Sequence, residues 1–255
     1  MSAEFSIALK ERASAASDLV ARVARAHPPA VFATSLGAED MVLLDLIADA
    51  APTIRVVSLD TGRLPQETHD LIDRTRDRYR LPIEVRLPDA QVVEQFVAEH
   101  GTNAFYRSLE LRKRCCELRK TQPLRSALKG AGAWITGLRR AQGVTRGDVR
   151  VESFDTGFGL PKFAPLADWS NGDVWDYLRI RQVPWNTLHD RGYPSIGCAP
   201  CTRAVQPGED VRAGRWWWEQ PQHKECGLHR RPDGSAGRAN VVADPPPRAL
   251  AEEER

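Results

Sequence analysis

Short apolar strands alternating with helices predict an α/β protein with a mainly parallel sheet and helices on both faces. Two observations carry this. Four β-like runs, at 30–33, 54–59, 83–87 and 133–137, are separated by stretches long enough for a helix. Three of them run into polar turns, Thr34-Ser35-Leu36-Gly37, Asp60-Thr61-Gly62-Arg63 and Gly137-Leu138-Arg139-Arg140, at the strand ends where open parallel sheets bind ligands.

Residues 1–30 read as an Ala-rich amphipathic helix. Glu4, Lys10, Glu11, Arg12 and Asp18 are dispersed through it, so it has no uninterrupted apolar core of a secretory signal, and no run in the chain is long enough to span a membrane. The first strand, 30–33, enters a tight turn over 34–40 and an apolar helix over 41–50. The second strand, 54–59, is followed by a polar helix over about 66–80, the third strand, 83–87, by a helix over about 90–100. Another helix is predicted from about 109 into 128, ahead of the fourth strand at 133–137. Beyond 166 the pattern changes to a helix over about 171–181, where Ser170 or Asn171 can cap, and then to a loop-rich stretch. From 230 the chain is rich in Pro, Arg and Glu and reads as disordered.

With 255 residues of which 42% are hydrophobic, a sizeable core is within reach. The 36 basic and 34 acidic residues leave a formal +2, which argues against a bulk electrostatic role on nucleic acid or an acidic membrane. Five cysteines without a signal segment fit the cytoplasm, where clustered thiols more often mean metal or catalysis than disulfides.

The Ser35 to Gly37 turn entering a helix can present backbone N–H groups and a positive dipole end to an anion, although plain capping explains such a turn equally simply. Leu59, Asp60 and Gly62, following the second strand, belong to the same edge and can read a base or ribose. Gly137, Arg139 and Arg146 follow the fourth, where guanidinium groups can grip phosphate or sulfate.

Cys115 and Cys116 fall within a predicted helix, on which neighbours point about 100° apart. Both reach one object only if it is wide, which favours a cubane cluster over a single ion. Cys198-Ala199-Pro200-Cys201 is a tight-turn chelate that suits iron–sulfur or zinc, with a redox disulfide as a third reading. Lys120 lies one helical turn beyond Cys116, where its ammonium would neighbour an anionic group. The lone Cys226, flanked by Lys224 and His229, has positive neighbours that raise its thiolate fraction. Upstream, Arg212-Ala213-Gly214-Arg215-Trp216-Trp217-Trp218 combines cations with aromatics that can bind an anion or dock a protein, and at least one of the Trp residues is expected to pack into the core.

Cys115-Cys116 with Cys198-x-x-Cys201, Lys224-Glu225-Cys226-Gly227-Leu228-His229, the Arg-x-Gly-Arg-Trp-Trp-Trp-Glu run and Gly-Leu-Arg-Arg-x-Gln together resemble the assimilatory adenylyl-sulfate reductases, over about residues 30–229. The resemblance implies an adenine nucleotide alpha hydrolase-like (PP-loop type) fold with a mobile C-terminal segment. It also implies reduction of adenosine 5'-phosphosulfate (APS) to sulfite and AMP, with thioredoxin as electron donor. Cys226 would attack the sulfate sulfur, with Lys120 and His229 as further catalytic candidates. Cys115, Cys116, Cys198 and Cys201 would hold a [4Fe-4S] cluster that keeps its oxidation state. Arg146, Arg212 and Arg215 would sit at the phosphosulfate, and Ser35, Gly37, Leu59, Asp60, Gly62 and Gly137 in the nucleotide loops. The implied organisation is a single reductase domain over 1–229, comprising an N-terminal helix (1–29), a nucleotide- and cluster-binding core (30–201) and a catalytic tail (202–229), followed by a tail over 230–255. A homo-oligomer is compatible with the sequence and not specified by it.

Gly143 departs from the family's usual Ser, and the loop after it is one residue shorter than in some relatives. The rival readings are a reductase of the 3'-phosphorylated substrate (PAPS), whose restricted members generally lack the four cluster cysteines, or a dual-substrate enzyme. More distant are a tRNA-thiolating enzyme, disfavoured by the +2 balance, and a non-catalytic iron–sulfur sensor, for which Cys226 would be dispensable.

Overall fold

The computed structural model describes residues 4–143, 146–220 and 223–224. The nucleophile candidate Cys226, His229 and the predicted tail over 230–255 lie outside the described residues, as does Thr145.

A six-stranded sheet runs in the order β3-β2-β1-β4-β6-β5. Its strands are β1 (Ala30–Thr34), β2 (Arg55–Leu59), β3 (Ile83–Arg86), β4 (Ala133–Ile135), β5 (Glu152–Asp155) and β6 (Leu160–Phe163). The first four and β6 pair in parallel, with Phe32 opposite Val56 on one side of β1 and Ile135 on the other. Alternation along β1 divides the core. Ala30 and Phe32 join the layer built by α1 (Ile7–Ala26), α2 (Ala38–Ala50), α3 (Gln66–Tyr79) and α7 (Asn171–Ile180), whereas Val31 joins Leu124, Ala127 and Leu128 of α6 (Gln122–Leu128) on the opposite face. Helices therefore cover both faces, as the sequence predicts.

Ser6 caps α1 by accepting from the Leu9 N–H, and the helix buries Leu9, Ala16, Leu19, Val20 and Val23 as one stripe. Nine of the thirteen residues of α2 are buried, and Asp45 among them is 1% exposed. Its carboxylate accepts from Tyr79 Oη at 2.8 Å, Tyr177 Oη at 2.7 Å and Arg181 Nε at 3.0 Å, so one anion ties α2 to α3 and α7. At the start of α7, Ser170 and Asp173 form a reciprocal capping box.

Two departures from the sequence reading stand out. The hairpin β5–β6, antiparallel and at the sheet edge, was not expected because Pro161 and Lys162 interrupt an already polar pattern. Lys162 is accommodated by Asp155 Oδ2 at 2.9 Å and by the face of Trp134, 4.2 Å from its Nζ. The helix expected from 109 to 128 is three pieces: α5 (Leu109–Cys116), a π-helical turn (Glu117–Thr121) and α6. With α4 (Ala90–His100), α5 packs at one end of the sheet, where Phe96, Phe105, Leu118 and Trp216 form a small core of their own around four cysteines.

Replacing Asp45 by Ala would take the acceptor from the buried Tyr177 hydroxyl and the part-buried Tyr79 hydroxyl, while Arg181 keeps Asp49. The expected cost is about 3 kcal/mol, read as a lower urea midpoint at unchanged slope.

Candidate functional site

The chain leaves β1 outward to β2 and β3, then returns to place β4 on the other side of β1, so the carboxyl ends of β1 and β4 form a topological switch point. A cavity of about 620 Å³ opens there. Ser35 and Gly37 after β1, Leu59 of β2, and Gly137, Arg139 and Arg146 after β4 line it, together with Lys120, Arg212 and Arg215. Nine residues singled out from distant parts of the sequence thus share one space.

The turn after β1 is held by a short-range network. Leu36 has φ 58°, a left-handed conformation uncommon for a branched residue, and its N–H donates to Thr34 Oγ1 at 2.9 Å. Gly37 is the N-cap of α2. The Asp40 carboxylate reaches back to accept from the Ser35 N–H at 2.6 Å and the Ser35 hydroxyl at 2.8 Å. Burial pushes the Asp40 carboxyl up to about 6 even though the Ser35 hydrogen bonds act the other way. A Cβ on residue 137 would lie 2.1 Å from Asp40 Oδ1, so the β4 turn accepts only glycine at this approach.

Arg139 is 3% exposed, and its guanidinium donates to Glu39 Oε1, to Asn171 Oδ1 at 2.7 Å and to the Trp169 carbonyl at 2.9 Å. It forms part of the cavity wall with most of its donors engaged by the scaffold. Burial alone would lift the Glu39 carboxyl, but Arg139 holds it below its ordinary value. In the turn after β2, Thr61 lines the cavity, whereas Asp60 accepts from the Gly62 N–H at 2.8 Å and lies 3.2 Å from His69 Nε2. Arg146 donates to Gln142 Oε1, and Arg212 donates to the Lys224 carbonyl at 3.0 Å.

Cys115, Cys116, Cys198 and Cys201 are all buried and line one small neighbouring cavity, with Arg63, Arg112, Arg119, Lys120 and Trp216. Two come from the end of α5, and the others are the N-cap (Cys198) and the last residue of a short turn over Ala199–Cys201. Lys120 lines both cavities from within the π turn, which interrupts the regular helix that the sequence reading assumed between it and Cys116. The two members of the Cys-x-x-Cys pair differ. Burial works against ionisation of Cys198, but Lys120, the Thr61 hydroxyl 3.2 Å from its Sγ and the nearby arginines bring its pKa below the ordinary thiol value. Cys201 is pushed up to about 12 by burial and by Cys198. Among the described residues, no three side chains of the His, Cys, Asp and Glu type converge closely enough to chelate a single ion.

Sequence reasoning missed two arginines. Arg119 is buried with NH1 donating to the Thr61 carbonyl at 2.7 Å, and Arg112 is fully buried. Both lie in a run of exposed-looking basic residues, where a single sequence carries no signal of which guanidinium turns inward. The Trp run divides as expected: Trp216 is buried and Trp217 is half exposed.

Sheet order, switch point and a cavity at the strand ends are those of the adenine nucleotide alpha hydrolase-like fold. A yeast FAD synthetase in complex with FAD aligns with a TM-score of 0.55 at 14% identity, over 79% of this chain and 70% of its own. A phosphoadenylyl-sulfate (PAPS) reductase from Candida auris, solved as a phosphate complex, aligns with a TM-score of 0.65 at 24% identity, over 80% of this chain and 100% of its own. Residues 29–204 match the phosphoadenosine phosphosulfate reductase domain, and the chain belongs to that family. It is 54% identical to the adenosine 5'-phosphosulfate reductase of Burkholderia cepacia, over 83% of this chain and 84% of the relative. It is 52% identical to the enzyme of the same name from Allochromatium vinosum, over 88% and 87%. No helix among the described residues is long and apolar enough to cross a membrane.

The raised Asp40 pKa has a defined sign. The neutral carboxyl fits its buried position better, so its contribution to stability is fully present below the unfolded value near 3.8 and is lost as pH rises through about 6. Asp40→Asn keeps an acceptor for Ser35 and does not ionise. Its stability relative to the parent should improve by about 2–3 kcal/mol between pH 4 and pH 7, measured by urea unfolding at each pH.

Proposed function

We propose that the chain reduces adenosine 5'-phosphosulfate to sulfite and AMP with thioredoxin as reductant, through an S-sulfocysteine on Cys226, in assimilatory sulfate reduction in the cytoplasm. The observation that carries the reading is the junction of two cavities at Lys120: one at the switch point with Arg146, Arg212 and Arg215 in its lining, the other walled by four thiols. The names of the relatives that are 54% and 52% identical support the same substrate. The single-domain organisation over 1–229 belongs to this proposal.

The Cys226 thiolate attacks the sulfate sulfur, the sulfur–oxygen bond to the phosphate breaks, and AMP leaves with that electron pair. A thioredoxin thiolate then attacks Cys226 Sγ, the sulfur–sulfur bond breaks, and sulfite departs with its two electrons. The second thioredoxin thiol resolves the mixed disulfide, which frees Cys226 and leaves thioredoxin oxidised. Attack of an anion on an anionic phosphosulfate needs fixed positive charge, supplied here by Lys120, Arg146, Arg212 and Arg215. The Ser35–Gly37 and Gly137 turns supply close backbone approach for the nucleotide, with Leu59 beside it. Asp60 and Gly62 shape the β2 turn, and Arg139 fixes Glu39. His229 remains a candidate for tuning the Cys226 thiol.

Cys115, Cys116, Cys198 and Cys201 would hold a [4Fe-4S] cluster. The donor set fits: four buried thiols from two segments, with cations around them to offset thiolate charge. When bound, the cluster adds a fixed electrostatic field beside Lys120 without changing oxidation state. Iron and sulfide analysis with the visible spectrum of anaerobically purified protein tests this against zinc or a disulfide.

The family's own description keeps the 3'-phosphorylated substrate as a second reading. Turnover of both substrates distinguishes them; a higher kcat/KM for the unphosphorylated nucleotide is expected, and equal values would remove the selectivity. Cys226→Ser should abolish sulfite production with the visible chromophore intact. Sulfite formation by this variant would refute the nucleophile. Lys120→Ala should lower kcat by about 100-fold with iron content retained.

A further inference from the structure

Arg112 is fully buried one turn before Cys116, yet none of the chemistry above uses it. Its Nε and NH2 donate to the two carboxylate oxygens of Glu219 at 2.8 and 2.7 Å, a bidentate pair whose acid is 7% exposed in its side chain. NH2 also donates to the His223 carbonyl at 2.6 Å. The guanidinium carbon lies 4.6 Å from the centre of the Trp216 ring, and the Cys116 side chain shares in its hydrogen bonding. Trp216 has Arg215 4.7 Å from its ring centre, and its backbone N–H donates to the Cys201 carbonyl at 3.1 Å. Arg215 NH1 in turn donates to the Ile196 carbonyl at 2.9 Å.

Arg215, Trp216, Glu219 and His223 are therefore fastened to the cysteine-bearing segments. Arg215 and Trp216 are held at the Cys-x-x-Cys turn, and Arg112 holds Glu219 and His223 to the end of α5. A buried guanidinium with a bidentate carboxylate and a backbone carbonyl fixes position in three directions, and loss of either charge leaves the other uncompensated. His223 stands three residues ahead of Cys226.

We infer that Arg112 is a positioning residue for the nucleophile: its clamp on Glu219 and the His223 carbonyl fixes the chain three residues before Cys226 in sequence. The inference rests on the function proposed above for Cys226. It makes the placement of the nucleophile depend on the same helix end that carries Cys115 and Cys116.

The test uses full-length, cluster-loaded protein with Glu219→Gln, which preserves shape while removing the charge, and Arg112→Lys, which preserves charge while removing the fork. Iron and sulfide content should stay at the parent level. The rate of Cys226 alkylation by iodoacetamide, followed by mass spectrometry of its peptide, should change at least fivefold in Glu219→Gln. The kcat for sulfite release should fall about tenfold with KM for adenosine 5'-phosphosulfate within twofold. The double variant should be no worse than the more impaired single variant, since both remove one clamp. Parent-like alkylation in both single variants with full cluster content would overturn the inference. So would loss of cluster with parent-like alkylation, which would make the pair a scaffold for the cavity alone. If the parent protein makes no sulfite, the proposed function fails, and the alkylation comparison alone decides the clamp.

Discussion

The close approach of α2 to the turn after β4 governs the rest of the ligand edge. Asp40 of α2 lies where any side chain on residue 137 would have to be, so the turns after β1 and β4 close together only because one of them is glycine. That closeness lets a single carboxylate organise Ser35 and lets Arg139 reach across to Glu39 and Asn171. The cavity is thus framed by hydrogen bonds between turns that are far apart in sequence. Within its walls the Arg139 charge is already matched by Glu39.

The thiol end has its own construction. Its apolar residues, Phe96, Phe105, Leu118 and Trp216, form a core separate from the two that sandwich the sheet. The π turn sits at the seam. A widened turn changes the rotation between Cys116 and Lys120 and lets one lysine face two spaces, a geometry that a regular helix supplies less readily. The opposite shifts of Cys198 and Cys201 show how uneven the surroundings are within four residues.

The sequence made legible whatever is encoded in local pattern. The apolar runs at β1, β2, β3 and β4, the Ser170 cap and the four clustered cysteines are all local signals, and the structure brings these cysteines together. What it concealed depends on partners brought in by the fold. Lys162 is acceptable in a strand only with Asp155 and Trp134 beside it, so β6 had no readable pattern. Arg112 and Arg114 look alike in sequence, yet one is sealed in and the other exposed, because only the first faces Glu219. Arg139 resembled a free anion grip until Glu39 was found against it.

The sheet's two margins also have a consequence. Each outer strand, β3 and β5, is only four residues long, and each carries charge: Glu84 and Arg86 on one, Glu152 and Asp155 on the other. Glu84 is held by Arg55 and Arg86, and Glu152 by Arg22 from α1. Short, ionic margins of this kind offer a neighbouring chain little backbone to zip onto. A protein so bordered resists growing into a continuous intermolecular sheet, even though the strands inside it, β1 and β4 above all, are rich in apolar residues.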